Sequence, residues 1–280
     1  QKMKAGLLLF ASSLFASDRF SSACAVQSTP VITTDSGRMR HLELKSPITY
    51  ITDCKDENGK GRLKARIATL FPGTSVQFVG VENDFEAAIN LVDIVDAYDG
   101  RPGIILANVA RREGGDRRNK WENGPPFGWL KLDKTDIFAT IDGYILSLLQ
   151  KLLGGRLQVE LFDIPATIPH MGLSKERQDH IVHTQFRSFD FLPLLASQLV
   201  AGRQLPVSQL FTEVPTMPQA LCWVDSFGNI KTNVLPEETG FQVGRRVELH
   251  VDEMRRFSLP CYTRLKDVPE DAVAVIVGSS

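Results

Sequence analysis

Cysteine is scarce and scattered: the chain of 280 residues has four, Cys24, Cys54, Cys222 and Cys261, with no C-x-x-C pair among them. That spacing argues against a zinc ribbon, a thioredoxin-type redox centre or a dense disulfide framework, and the four read as separate thiols. A surplus of charge is also missing. Lys and Arg total 32 against 33 Asp and Glu, a net charge of -1, so the balance favours neither a nucleic acid nor an anionic membrane as partner. The apolar run from Ala5 to Ala16 is too short to span a bilayer, and no other segment is apolar enough. No G-x-G-x-x-G or G-x-x-x-x-G-K-[ST] loop follows the first strand of the body, which leaves a generic phosphate-binding domain without support. What is present, 43% hydrophobic and 23% charged residues, is the composition of an ordinary globular chain, long enough for one large domain or two unequal ones.

Lys2 and Lys4 precede the apolar run, and Ala23-Cys24-Ala25 gives a small-x-small pattern, so residues 1–25 read as a secretory signal or an organelle-targeting peptide; an upstream extension of the reading frame is the bland alternative. Residues 26–46 are rich in Ser and Thr, and the whole of 1–46 is expected to be a signal-like or targeting segment and linker outside the fold. The compartment stays open between cytoplasm, organelle and, through the signal-like segment, export.

From Ile48 onward, short β-rich runs alternate with amphipathic stretches. Ile48–Ile51, Val76–Val81, Ile104–Val109, Ile137–Ile141 and Leu157–Phe162 read as strands; Gly61–Leu70, Phe85–Tyr98 and Asp190–Val200 read as helices, with Asp84 and Ser188 as candidate caps. Strands alternating with helices predict an α/β domain over 47–202 with a mostly parallel sheet. Each strand ends on a polar residue: Asp53, Glu82 with Asn83, Asn108 and Asp142. In an open parallel sheet ligands bind outside the carboxyl ends of the strands, so this row predicts a pocket rich in hydrogen-bond acceptors. The alternative is that Asp and Asn merely start turns there.

After Pro206 the pattern changes to strands separated by turns, at Leu221–Asp225, Ile230–Val234, Arg246–Val251 and Ala272–Val277, without a convincing helix. This predicts a smaller all-β C-terminal domain over 220–280, joined by a linker over 203–219 that carries Pro206, Pro215 and Pro218.

The segment Val224-Asp225-Ser226-Phe227-Gly228-Asn229-Ile230-Lys231-Thr232-Asn233 resembles the D-x-F-G-N-x-x-T-N segment of the S-adenosylmethionine hydroxide adenosyltransferase, fluorinase and chlorinase family. Three further stretches match in order: Ile51-Thr52-Asp53 the family's opening strand and T-D, Thr140-Ile141-Asp142-Gly143 its P-D/N-N-G, and Phe186-Arg187-Ser188 its F-[HY]-[GS] element ahead of a helix and Ala201-Gly202. The resemblance spans roughly residues 47–280. It implies a homotrimer of chains with an α/β and a β domain, binding S-adenosylmethionine between one subunit's first domain and its neighbour's second, as substrate and with no cofactor or metal. Water or hydroxide attacking the 5′ carbon would give adenosine and methionine; a halide would give the halogenated nucleoside; a chain that has lost the activating groups would bind without turnover.

Carried over residue by residue, the resemblance assigns Asp53 to the ribose diol, Asn229 to the adenine and Asp225 to the methionine ammonium, with Phe186 and Phe227 as further substrate-binding residues. The D-P-G-V-G-T-x-R segment falls on Asn108 to Arg117, with Asn108 where the family has Asp and with Arg117, Arg111 or Arg112 as its arginine. Arg187 takes the place of the histidine, so the family's water-activating set is changed in two of three members and its general-base account does not transfer. His183 is a substitute base to consider, and Ser188 falls where halogenating members hold a halide. The catalytic candidates are therefore Asn108, Arg117, Arg187 and Ser188. Phe85 and Trp121 are single aromatics that could stack on adenine. The family's adenine-contacting tail has no counterpart before Ser280, which reads as a C-terminally truncated form, and the polar stretch 114–126 reads as an anion-attracting rim or a solvated connection.

Overall fold

The computed structural model describes residues 8–10, 46–110, 124–252 and 254–278. The main body is a sheet of seven strands: β2 (Ile48–Thr52), β3 (Val76–Gly80), β4 (Gly103–Asn108), β5 (Phe127–Leu132), β6 (Thr135–Thr140), β7 (Val159–Phe162) and β8 (Gln209–Phe211). They lie in the order β3-β2-β4-β6-β5-β7-β8. The pairs β2–β3, β2–β4 and β4–β6 are parallel, and β5 and β8 run against their neighbours. So β2, β3, β4, β6 and β7 point one way, which is the mostly parallel α/β arrangement expected.

The parallel strands are apolar because both faces of this part of the sheet are covered. Tyr50, Leu106 and Phe138 face one way, into a core cluster with Leu63 and Ile67 of α1 (Glu57–Leu70). Ile51, Ala107 and Ala139 face the other way, toward Ala88, Leu91 and Val92 of α2 (Asp84–Tyr98). α3 (Ser147–Leu152) packs on the α2 side through Leu148 and Leu149. On the α1 side the short α4 (Ile164–Thr167), then α5 (Lys175–His183), add Ile164 and Ile181 to the core. Tyr50, Phe127, Phe138, Phe162 and Phe191 are fully buried, and each contributes roughly 2–3 kcal/mol by leaving water. From β2 the chain crosses to β3 on one side and then to β4 on the other, so the sheet has its topological switch point at β2.

Several elements differ from expectation. α1 begins at Glu57, a turn before Gly61, because the Asp56 side chain accepts from Gly59 N and supplies the cap that two glycines would otherwise weaken. Asn83, and not Asp84, caps α2, its side chain accepting from Glu86 N at 3.0 Å. The helix read over Asp190–Val200 is two elements. A single turn, α6 (Arg187–Asp190), is followed by α7 (Leu192–Val200), which has Pro193 in its first turn, where a missing N–H costs nothing. Leu192, Leu195 and Ala196 of α7 join the α1 side of the core. Ser188 accordingly lies inside α6 and is not a cap. The stretch 203–219, expected to be only a linker, supplies β8.

A second sheet has six strands. Five of them are β9 (Leu221–Val224), β10 (Ile230–Thr232), β11 (Arg246–His250), β12 (Arg256–Tyr262) and β13 (Val275–Val277), with the antiparallel pairs β9–β10 and β11–β12. The sixth, β1 (Leu8–Phe10), lies between β10 and β13 and parallel to both, so part of the segment read as lying outside the fold pairs within it. The order is β11-β12-β13-β1-β10-β9. A one-turn helix, α8 (Pro236–Thr239), interrupts the strands. The two sheets are packed together: Cys222 of β9 is in the core cluster of α2, Lys231 reaches Asp93 of α2 at 2.7 Å, and Lys151 Nζ of α3 donates to the Asn233 carbonyl at 2.7 Å.

Candidate functional site

The parallel pairing sets the expected polar row on one edge. Thr52 is in register with Asn108, Ala107 with Ala139, and Phe127 with Thr140, so Thr52, Asn108, Thr140 and Phe127 follow one another across the carboxyl edge of β2, β4 and β6. Side chains alternate along a strand. Since Tyr50, Leu106 and Phe138 face the α1 and α7 side, Thr52, Asn108 and Thr140, two residues on, face that side as well.

Asp53 follows β2 at this edge, half-buried, and its Oδ2 accepts from Ala110 N at 3.2 Å. That bond ties the residue after β2 to the chain leaving β4, across the switch point. Asn108 ends β4, half-buried. Glu82 is exposed and ion-paired with Lys55, and Asn83 is the α2 cap already described, so the β3 member of the row is a helix start. After β6, Gly143 has φ 103° and Tyr144 N donates to Asp84 Oδ2 at 3.0 Å. A side chain at Gly143 would collide with that carboxylate. Phe85 packs against Tyr144 with ring centres 5.0 Å apart.

The α6 turn brings Arg187 and Ser188 to the same edge. Arg187 Nη1 donates to the Pro125 carbonyl at 2.8 Å, and the guanidinium stands over the Phe127 ring at 5.8 Å. Gly124 has φ 75° and leaves room that any Cβ would take from this guanidinium. Burial lowers the Arg187 pKa from its ordinary value. The group is still a cation at neutral pH and donates only, which makes it an anchor for an anion or lone pair and unfit as a base. Ser188 is buried, and its carbonyl accepts from Tyr50 OH at 2.8 Å. Burial pushes the Tyr50 phenol well above its usual pKa, so it remains a donor. Phe186 stacks on Phe189 with ring centres 5.3 Å apart and lies under Arg62 of α1. His183 is exposed on α5, with Nδ1 at 2.7 Å from the Asp179 carbonyl of its own helix.

One residue of the edge enters the sequence reading only as part of a motif and is given no role there. Thr140 is buried, and its hydroxyl has no hydrogen-bond partner among the described residues. The available signal was its position two residues before Asp142, the strand-end residue that attracted notice.

Asp225, Phe227 and Asn229 lie in the other sheet, in the turn between β9 and β10. Asp225 Oδ1 accepts from Phe227 N at 2.8 Å and Asn229 N at 2.9 Å, and Oδ2 accepts from Asn229 Nδ2 at 2.8 Å. Against a desolvation contribution that raises it, these hydrogen bonds hold the Asp225 carboxyl below its ordinary pKa. The turn is thus self-contained, and it carries Phe227, 81% exposed, at its tip. Arg117, with Arg111, Arg112, Trp121 and the polar stretch 114–123, lies outside the described residues. Among the described residues no group of three His, Cys, Asp or Glu side chains is placed to hold a metal, and no helix is long and apolar enough to cross a membrane.

No protein-family model matches this chain, and no curated protein matches it. Solved structures do. An uncharacterized conserved protein from Thermotoga maritima superposes with a TM-score of 0.57 at 17% identity, over 81% of this chain and 88% of that one. A conserved hypothetical protein from Thermus thermophilus superposes with a TM-score of 0.52 at 20% identity, over 82% of this chain and 86% of that one. At such identities the likeness is one of fold.

Proposed function

We propose that this chain binds S-adenosylmethionine and cleaves it at the 5′ carbon with water or hydroxide, giving adenosine and methionine. The observation that carries the reading is the switch-point edge, where Asp53 is fixed between β2 and β4 beside Asn108, with Arg187 presented from α6. A carboxylate there suits a ribose diol, since it accepts two hydroxyl hydrogen bonds. The sulfonium is itself an excellent leaving group, so the protein's work is to position a nucleophile in line and keep bulk water out. In-line attack by water oxygen on the 5′ carbon returns the C–S bond pair to sulfur as the thioether of methionine, and the water's proton leaves to solvent. No metal or cofactor is needed for that step.

In this reading the six-stranded sheet is the smaller β domain of a homotrimer, and the Asp225–Asn229 turn completes a neighbour's site, with Asp225 toward the methionine ammonium and Asn229 with Phe227 near the adenine. The projection of Phe227 into solvent supports this arrangement. Arg187 and Ser188 favour stabilisation of the nucleophile over proton abstraction, and halide in place of water is a variant of the same chemistry at Ser188.

A second reading, binding without turnover, is favoured by Asn108 and Arg187 standing where a base set would be. The experiment is to incubate the protein with S-adenosylmethionine, with and without chloride, and to resolve products by chromatography alongside calorimetric binding. Adenosine formed independently of chloride and abolished in Asp53→Ala is the expected result. Binding without product would select the second reading; neither binding nor product would remove both.

A further inference from the structure

α6 is one helical turn, too short to hold its shape unaided. It is fastened at both ends. At its last residue the Asp190 carboxylate, 5% exposed, gathers four partners from three directions. Arg177 Nη2 donates to Oδ1 at 2.7 Å and Thr184 Oγ1 to Oδ2 at 2.8 Å, while Arg66 Nη2 of α1 stands 3.5 Å from Oδ1 and His180 Nε2 of α5 stands 3.4 Å from Oδ2. Arg62 and Arg66 also cover the Phe189 ring at 4.9 and 4.6 Å, so the turn is clamped by cations above its aromatic side. At its first residue Arg187 reaches away from this clamp to the Pro125 carbonyl and the Phe127 ring, and the Ser188 carbonyl is held by Tyr50 of β2.

A buried carboxylate with this many charged partners is a poor way to gain stability, because apolar packing of the same volume usually does as well; what directional, charge-assisted bonds supply is a fixed geometry. These partners of the Asp190 carboxylate lie on α1, on α5 and at Thr184, and none is a residue of the carboxyl edge. Its effect on that edge must pass through the turn.

We propose that Asp190 is a positioning residue: its cationic clamp fixes the α6 turn so that Arg187 and Ser188 are presented at the carboxyl edge in the orientation that S-adenosylmethionine cleavage requires. This rests on the reading of that edge as the substrate site. It separates two jobs, substrate affinity at Asp53 and orientation of the α6 groups at Asp190.

The test is Asp190→Asn, with Asp190→Glu as the conservative partner, measured in the full chain by steady-state kinetics and by the NMR signal of the Arg187 side-chain Nε–H. Misplacement by about 1 Å costs up to about 100-fold in rate, so kcat is expected to fall by about 10–100-fold with KM for S-adenosylmethionine within about twofold, and Asp190→Glu is expected to recover part of the loss. The Arg187 signal is expected to shift and to lose protection from solvent exchange in Asp190→Asn. A folded Asp190→Asn with unchanged kcat or an unchanged Arg187 signal overturns the proposal. Were the wild type to give no adenosine and no binding, the substrate reading would fail by itself, and the Arg187 signal would still decide whether Asp190 orients this turn. Should Asp190→Asn not fold, Arg177→Gln removes the shortest bond of the clamp and is expected to move kcat and the Arg187 signal in the same direction; no movement of either overturns the proposal.

Discussion

Thr140 and Gly143, three residues apart on one strand end, make opposite demands on substitution. The Thr140 hydroxyl is buried without a partner among the described residues, a condition that costs about 1–3 kcal/mol relative to a satisfied group. Thr140→Val removes the hydroxyl and keeps the shape. It is expected to leave the urea-unfolding midpoint unchanged or raise it, and to lower S-adenosylmethionine turnover if the hydroxyl serves the site; a clear loss of stability would show that the hydroxyl is used in folding. Gly143 is the reverse. Its φ of 103° is a region that residues with a Cβ rarely adopt, and a methyl there meets the Asp84 carboxylate that receives Tyr144 N. Gly143→Ala is expected to cost about 1–3 kcal/mol in urea unfolding, more than Gly61→Ala, which meets nothing within 4 Å. Of the edge residues, Asp53, Asn108 and Arg187 were legible in the sequence through strand ends and motif order. Thr140 was not, because nothing in its neighbours says that its hydroxyl lacks a partner; that is a property of packing.

At the level of elements, legibility followed local chemistry. The strands β2, β4 and β6 could be read because strands buried on both faces are mostly apolar runs, β3 because Val76, Phe78 and Val79 give a short β-rich run at the edge of the sheet, and α2 because its apolar face repeats with helical period. β5 was lost behind Pro125-Pro126, β12 contains Pro260, and β8 has only three residues in a proline-rich stretch. The α6–α7 break was invisible because Phe191, where the turn ends, sits in a run of equally apolar residues. The cap of α2 shows how one polar residue at a strand end can be structural. Asn83 accepts from Glu86 N, a bond worth about 1 kcal/mol at an N-cap. Asn83→Ala is expected to lower the stability of the chain by about 1 kcal/mol and to leave S-adenosylmethionine binding unchanged by calorimetry. A drop in affinity with unchanged stability would place Asn83 in the site after all.

For the whole molecule, the exposed side of the six-stranded sheet decides how subunits could share a site. β9 is a terminal strand of that sheet, with Leu221 and Val224 exposed at 42% and 58%, and the turn beyond it lifts Phe227 into solvent. Exposed apolar side chains on a terminal strand invite association and are ordinarily covered. The turn itself is rigid, since three hydrogen bonds to Asp225 hold it, so little freedom is lost when a rigid tip of this kind docks on another surface. The proposed shared site would use this turn, the Asp225–Asn229 segment of one chain lying over the Asp53 edge of the next. Phe227→Asp puts a charge at the tip and touches no buried group. On the proposed assembly it is expected to shift the sedimentation velocity profile at micromolar concentration to the single chain while the far-ultraviolet circular dichroism stays the same, and S-adenosylmethionine affinity is expected to fall together with the fraction of the proposed trimer. If Phe227→Asp leaves assembly intact but lowers affinity, the ring belongs to the ligand alone; if both stay unchanged, the turn has no part in the site and the neighbour's contribution must come from elsewhere.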